Sequence, residues 1–135
     1  MAALLITELH GVIPELVGFI EEAGLEKSNK FLAAVAQPKD RKALAEKWGV
    51  DARKLLELGN RADLARIKGI GAIYSDLLEF AGVDTVVELS KRNSDNLYDK
   101  IKEVAAEHHV RRLPRLEVVQ DWVAQAKSLD RGIFY

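Results

Sequence analysis

Two pairs of segments recur in the same order along the chain, and this internal repetition constrains the fold more than any other feature. Residues 12–25 align with residues 70–83 at a spacing of 58 residues, and both segments end in Glu-x-Ala-Gly followed by Leu or Val. Residues 44–50 resemble residues 104–110 at a spacing of 60, so that a two-residue insertion near residues 97–98 reconciles the spacings. Two ordered matches indicate a tandem duplication whose copies pack against each other.

Both copies carry the signals of helices. Proline stands at positions 14, 38 and 114, where the first residue of a helix tolerates a missing N–H, and Gly24 and Gly82 stand where helices end. Helices are predicted over residues 2–9, 14–23, 28–36, 39–48, 52–58, 61–67, 72–81, 85–92, 95–108 and 114–128. The predicted N-caps are Asp51, Asn60, Asp84 and Ser94. No segment alternates as a strand pair would, so the predicted fold class is all-α.

Composition describes a folded protein without dominant charge. Apolar residues make up 48% and charged residues 30% of the chain, which is typical of a globular domain. The absence of cysteine excludes disulfides, zinc thiolate sites and thiol nucleophiles. With 20 basic and 21 acidic residues the net charge is −1, whereas a dedicated nucleic-acid binder usually has a basic excess. Any electrostatic footprint must therefore be local.

The N-terminal residues do not have the pattern of a targeting signal. The apolar run of residues 1–6 is short and no basic residue precedes it, unlike a secretory signal peptide. No stretch approaches the roughly 20 apolar residues of a membrane-spanning helix. We therefore expect a cytoplasmic protein without a membrane partner.

The most informative motif is Gly69-Ile70-Gly71. It follows a helical segment from Leu64 and precedes the predicted helix 72–81. The glycines give backbone freedom and allow close approach, while the isoleucine between them is expected to anchor the turn in the core. The free N–H groups and the positive dipole end of the following helix make this turn an anion site in principle.

Residues 64–83 resemble the helix-hairpin-helix superfamily, whose usual form is Leu-Pro-Gly-Ile-Gly-x-x-x-Ala-x-x-Leu. Residues 74–89 are also similar to the C-terminal domain of the bacterial RNA polymerase α subunit. Over nearly its whole length the chain resembles an uncharacterised family, domain of unknown function 4332. The resemblance implies tandem helix-hairpin-helix repeats packed as one compact helical domain over residues 1–135. Repeat one would span about 1–60 with a degenerate hairpin at 11–13, and repeat two about 61–135 with an intact hairpin at 68–71.

The superfamily resemblance implies binding to the DNA backbone through hairpin N–H groups and nearby basic residues, and in some members a monovalent cation held by hairpin carbonyls. This chain departs from the pattern in both copies. In the second copy, Lys68 replaces the usual proline, Ile73 stands where a basic residue is common, and Ser75 replaces the usual alanine. The first copy reads Gly-Val-Ile, which lacks the second glycine, and Glu15 stands at the start of the helix after it, where a phosphate would have to lie. The first copy is therefore predicted to be only structural.

A second basic segment lies far along the chain at residues 108–115. Its arginines would either bind a phosphate or carboxylate, or lie in a solvated loop and balance the charge of nearby glutamates. The adjacent His108 and His109 point about 100° apart on a helix, so no metal site is predicted. The candidate nucleic-acid-binding residues are Arg66, Lys68, Gly69, Ile70, Gly71, Arg111, Arg112 and Arg115.

The predicted function is that of a non-enzymatic adaptor that binds a protein partner or associates with itself. The alternative is weak, sequence-independent binding of nucleic-acid backbone through residues 68–71. No catalytic motif or cofactor motif is present at a spacing that chemistry needs, so neither an activity nor a cofactor is predicted. Trp48 and Trp122 are predicted to pack in the core or between repeats. A small-molecule pocket between the repeats, and a C-terminal segment 130–135 that either packs back or docks elsewhere, stay open.

Overall fold

The computed structural model describes residues 5–10 and 14–135, and in them it shows an all-α protein. A 3-10 turn at Ile6–Glu8 precedes eight α-helices. These are α1 (Pro14–Glu22), α2 (Ser28–Val35), α3 (Pro38–Trp48), α4 (Ala52–Leu64), α5 (Ala72–Phe80), α6 (Val86–Ser90), α7 (Ser94–Glu107) and α8 (Leu116–Ser128). The predicted fold class is thereby confirmed. The predicted degenerate hairpin at 11–13 lies outside the described residues.

The prediction was wrong in the middle of the chain, where helices 52–58 and 61–67 are one continuous helix, α4. Asn60 is therefore an interior helical residue and not an N-cap. Gly59, beside Asn60, lies within α4 and does not interrupt it. The absence of a side chain at Gly59 is required by the packing around it. A Cβ at Gly59 would lie 2.8 Å from Ile133 Cδ1 and 3.0 Å from Val35 Cγ2.

Other helix ends differ from the prediction by one to three residues. Asp51 is an N-cap as predicted and accepts a hydrogen bond of 2.9 Å from the N–H of Arg53. Thr85 and Asn93 take the N-cap positions that were predicted one residue away. Helix α8 begins two residues after Pro114. The predicted helix 2–9 appears, within the described residues, as the short 3-10 turn.

Corresponding turns recur at the spacing of the first sequence match. Gly24 and Gly82 have positive φ values of 71° and 87°. After Gly24, the N–H of Leu25 donates to the carbonyl of Ile20 at 3.0 Å; after Gly82, the N–H of Val83 donates to the carbonyl of its own helix five residues earlier at 2.8 Å. Both helices therefore end in the same left-handed cap.

The second sequence match also coincides with matching caps. Gly49 ends α3 with a φ of 66°, and His109 follows α7 with a φ of 57°. The next N–H donates five residues back in each case, from Val50 to Ala45 at 3.0 Å and from Val110 at 2.8 Å. Of these two caps, only the one after α7 places a residue with a side chain, His109, in the left-handed conformation. This conformation is unfavourable for residues other than glycine.

Replacing His109 by glycine is therefore expected to raise the free energy of unfolding by about 1 kcal/mol, because glycine adopts the left-handed conformation without steric strain. Urea denaturation of the variant beside the wild-type chain measures this change. The reciprocal control, Gly49→His, should lower stability by a similar amount. A loss of stability in His109→Gly would show that the imidazole contributes more than its backbone strain costs.

The buried apolar residues form two clusters. The first cluster uses residues from Ile6 to Ala65, with Ile133 added from the far end of the chain. The second cluster uses residues from Leu64 to Ala126. Helix α2 packs on α4 as α6 packs on α8, and α3 packs on α4 as α7 packs on α8. The boundary between the clusters falls at the end of α4, close to the predicted boundary between the repeats.

The two tryptophans are buried, as predicted, and each belongs to a different cluster. Trp48 lies in the first cluster and its ring stacks on Phe19 with centroids 5.5 Å apart. Trp122 lies in the second cluster against Tyr74, with ring centroids 5.1 Å apart. Each ring thus packs inside the core of its own half. No described helix is both long enough and apolar enough to span a bilayer.

Residues 130–135, which we call the C-terminal strap, pack back onto the first half of the chain. Ile133 is 1% exposed and joins the first cluster. The N–H of Phe134 donates to the carbonyl of Ala36 at 2.8 Å, and Arg41 Nη2 donates to the carbonyl of Phe134 at 2.9 Å. The strap therefore ties the end of the second half to the core of the first.

Arg41 connects the strap to the end of α2. Its guanidinium is buried and also donates to the carbonyl of Val35 at 2.8 Å. Burial lowers the pKa of Arg41 from its ordinary value, and the phenol of Tyr135 opposes this shift to a smaller extent. Arginine remains charged despite such a shift, so it can satisfy several carbonyls at once in a site that excludes water.

Candidate functional site

The Gly-Ile-Gly turn, residues 68–71, connects α4 to α5. The chain leaves α4 through tight backbone bonds, from the N–H of Ile67 to Leu64 at 3.0 Å and from Ile70 to Ile67 at 3.2 Å. Both isoleucines are buried in the second cluster, whereas Lys68 and Gly69 are exposed. The apolar side chains of the turn thus anchor it in the second cluster, as the motif predicted, while Lys68 and Gly69 face solvent.

The two glycines of the turn have different physical roles. Gly69 has a φ of 100°, and a Cβ there would lie 3.2 Å from Nε1 of Trp122. This position therefore requires glycine for both its conformation and its packing. Gly71 has an extended backbone with a φ of −112°, and a Cβ there would meet nothing within 4 Å. Its lack of a side chain leaves open the approach to the start of α5.

The N-terminus of α5 has no side-chain cap. Gly71 occupies the N-cap position and offers no side chain, and the first backbone bond of the helix runs from Ser75 to Gly71 at 2.9 Å. Within the described part of the chain, the N–H groups of Ala72 and Ile73 have no acceptor. Free N–H groups together with the helix dipole favour an anionic ligand at this point.

Helix α8 fixes the turn from the side. The amide of Gln125 accepts a hydrogen bond of 2.9 Å from the N–H of Lys68 and donates one of 3.1 Å to the carbonyl of the same residue. The buried indole N–H of Trp122 lies under Gly69 and has no hydrogen-bond partner among the described residues. Gln125 was not among the residues predicted from the sequence, since nothing in its local pattern relates it to a turn 57 residues earlier.

The structure brings one arginine of the distant basic segment to the first turn of α5. The guanidinium of Arg112 lies 5.9 Å from the ring centroid of Tyr74, in the first turn of α5. Arg111 and Arg115 are exposed next to it in sequence. Among residues 5–10 and 14–135, none of these three arginines forms an ion pair. Of the candidate residues in the segment 111–115, Arg112 is thus the one that the structure places against α5.

Arg66 is placed differently from the other candidates. Its Nη1 pairs with Oδ1 of Asp63 at 2.7 Å, and its Nη2 donates to the carbonyl of Asp130 in the strap at 2.6 Å. The Asp63 carboxylate is 1% exposed and also accepts a bond of 2.8 Å from the N–H of Val86. The guanidinium of Arg66 therefore compensates a buried charge and holds the strap. No motif in the sequence had identified Asp63.

A cleft of about 250 Å³ opens beside α4, away from the turn. It is lined by Glu57, Asn60, Arg61, Leu64, Glu79 and Asp84. Arg61 pairs with Asp76 and Glu79 of α5, and His10 also contacts Asp76. In the described residues, no group of three or more histidine or carboxylate side chains is placed to hold a metal ion.

Comparison with known proteins identifies the family of the chain. No curated protein and no solved structure matches it. The model of a family described as Domain of unknown function (DUF4332) matches residues 11–129. This match covers the whole second cluster and the first cluster except Ile6, Leu9 and Ile133, and it includes the Gly-Ile-Gly turn and the segment 111–115. The protein therefore belongs to the DUF4332 family.

Proposed function

We propose that the protein is a non-enzymatic binding protein that contacts the phosphates of a nucleic-acid backbone without reading its sequence. The contact surface is the basic face, which consists of residues 68–74 and 111–115. One observation carries the proposal: the uncapped start of α5 lies at an exposed glycine turn, and Arg112 lies 5.9 Å from the ring centroid of Tyr74, the third residue of that helix. Free backbone donors and guanidinium groups are what phosphate-binding proteins use.

The local charge of this face differs from the balanced charge of the whole chain. Lys68, Arg111, Arg112 and Arg115 are all exposed there. The net charge of −1 counts every carboxylate of the chain, and several of these are already paired with basic side chains, such as Glu88 with Arg92. Because a single face supplies few phosphate contacts, binding should be weak and should depend steeply on salt.

The proposal includes a helix-hairpin-helix identity for residues 64–83 and a tandem origin for the two halves. The left-handed caps that recur at spacings of 58 and 60 residues support the duplication. So does the common packing of α2 on α4 and of α6 on α8. In this proposal only the second copy binds, because its turn has the second glycine at Gly71 that the first copy lacks.

Titration with a short DNA duplex at two salt concentrations tests the proposal. The variants Lys68→Glu and Arg112→Glu should each lower the affinity about tenfold at low salt and reduce the slope of log affinity against log salt. Lys100→Glu is the matched control, because Lys100 is an exposed lysine outside both segments and should leave binding unchanged. An absence of duplex binding at low salt would reject the proposed function.

A protein partner is the second candidate, favoured by exposed apolar residues within the same face. Ile73 is 38% exposed and Leu113 is 45% exposed. A phosphate backbone gains little from these side chains, whereas a protein surface could bury them. The variant Ile73→Lys separates the candidates. It should strengthen duplex binding if the ligand is a nucleic acid, and it should abolish self-association in sedimentation equilibrium if the face binds a second copy.

A further inference from the structure

We propose that Gln125 is the positioning residue of the basic face, and that it holds the Lys68 peptide in the conformation that binds a ligand. This inference rests on the proposed function and extends it to a residue of α8 that lies outside both segments of the face. The hydrogen bonds of Gln125 to the described turn both go to the backbone of Lys68, so in this inference its role is to fix the turn and not to touch phosphate.

The hydrogen bonds of Gln125 determine the orientation of its amide. Oε1 faces the N–H of Lys68 at 2.9 Å. Nε2 faces two acceptors, the carbonyl of Lys68 at 3.1 Å and Oδ2 of Asp121 at 2.8 Å. The flipped amide would place an oxygen against two acceptors and a donor against a donor, so it is excluded. Asp121 therefore sets the direction of the amide, and the amide in turn restrains both the N–H and the carbonyl of Lys68.

A fixed Lys68 backbone matters because the next residue is a glycine, which has no side chain to restrain its own backbone. Gly69 has the widest conformational choice of any residue type, and its φ of 100° is one of several accessible values. The buried Ile67 and Ile70 hold the turn on either side, but neither holds the peptide that leads into Gly69. Gln125 supplies this restraint, and a restrained loop loses less conformational freedom when a ligand binds.

The test compares Gln125→Met with Gln120→Met in the full chain. Methionine keeps the length of the side chain and removes all three hydrogen bonds. Gln120 is an exposed glutamine on the same helix without such bonds, so its replacement is the matched control. Amide hydrogen exchange, thermal unfolding and titration with a short DNA duplex at two salt concentrations are measured for both variants and the wild-type chain.

In Gln125→Met we expect the Lys68 amide to exchange at least about tenfold faster, with exchange in the cores of α5 and α8 unchanged. Duplex affinity should fall about fivefold while the salt slope stays that of the wild type, because no phosphate contact is lost. Gln120→Met should match the wild type in each measurement.

Three results would overturn the inference. Unchanged exchange at Lys68 would show that Gln125 does not fix the peptide, and faster exchange with unchanged affinity would show that fixing it does not serve binding. Faster exchange throughout α5 and α8 would show a general structural role. If the wild-type chain binds no duplex, the proposed function fails, and the exchange at Lys68 alone then decides whether Gln125 restrains the turn.

Discussion

Replacing Ile133 by alanine is expected to lower the free energy of unfolding by about 3 kcal/mol, since truncating a fully buried large aliphatic side chain usually costs about 2–5 kcal/mol. The side chain is 1% exposed and packs against α4 at Gly59, in the first cluster. The surrounding helix cannot close on the cavity without moving its backbone. Urea denaturation followed by far-UV circular dichroism measures the loss.

The matched control for this variant is Phe134→Ala in the same strap. Phe134 is 37% exposed, and its backbone bonds to Ala36 and Arg41 do not depend on its side chain. Its replacement should cost under about 1 kcal/mol, as substitutions at partly exposed positions usually do. Equal losses in the two variants, or no loss in Ile133→Ala, would contradict the seating of the strap in the first cluster.

Replacing Arg66 by methionine is expected to cost about 3 kcal/mol of stability and to leave duplex affinity of the folded protein unchanged. Removing one partner of a buried ion pair leaves the other charge uncompensated, which typically costs about 3–5 kcal/mol. The lower end applies here, because the side chain of Arg66 is 22% exposed while that of Asp63 is 1% exposed. Thermal denaturation and duplex titration below the unfolding temperature measure the two effects separately.

Lys100→Met is the control, because it removes an exposed ion pair with Glu103 and should change stability by under about 0.5 kcal/mol. The sequence had grouped Arg66 with the residues of the Gly-Ile-Gly turn. If Arg66→Met weakened duplex binding without affecting stability, Arg66 would belong to the binding residues, as predicted from the sequence. Its assignment to the buried ion pair with Asp63 would then be wrong.

Features that depend on neighbouring residues were predictable from the sequence. The left-handed caps at Gly24 and Gly82 follow from glycine at the ends of apolar helical segments. The Gly-Ile-Gly turn is also local, since its isoleucine, its glycines and the helix after it lie within a few positions of one another. The all-α fold and the exposed turn could therefore be inferred without knowledge of the tertiary structure.

Features that depend on distant residues were not predictable. The pair Gly59-Asn60 is typical of a helix break. Helix α4 nevertheless continues through it, because Ile133 of the strap fills the space that the glycine leaves. Asp63 has the appearance of a solvated carboxylate, and its burial depends on Arg66 and on the start of α6. Similarly, Gln125 is one of several polar residues of α8 until the fold places it against Lys68.

The position of Ile133 also has a consequence for the order in which the chain folds during its synthesis. Domains generally fold from the N-terminus as they emerge from the ribosome. Here every other member of the first cluster is synthesised before Ile133, and the whole second half is synthesised between them. We therefore expect the N-terminal core to keep a gap beside Gly59 until residues 130–135 emerge. Maturation of the first half is thereby coupled to synthesis of the second half.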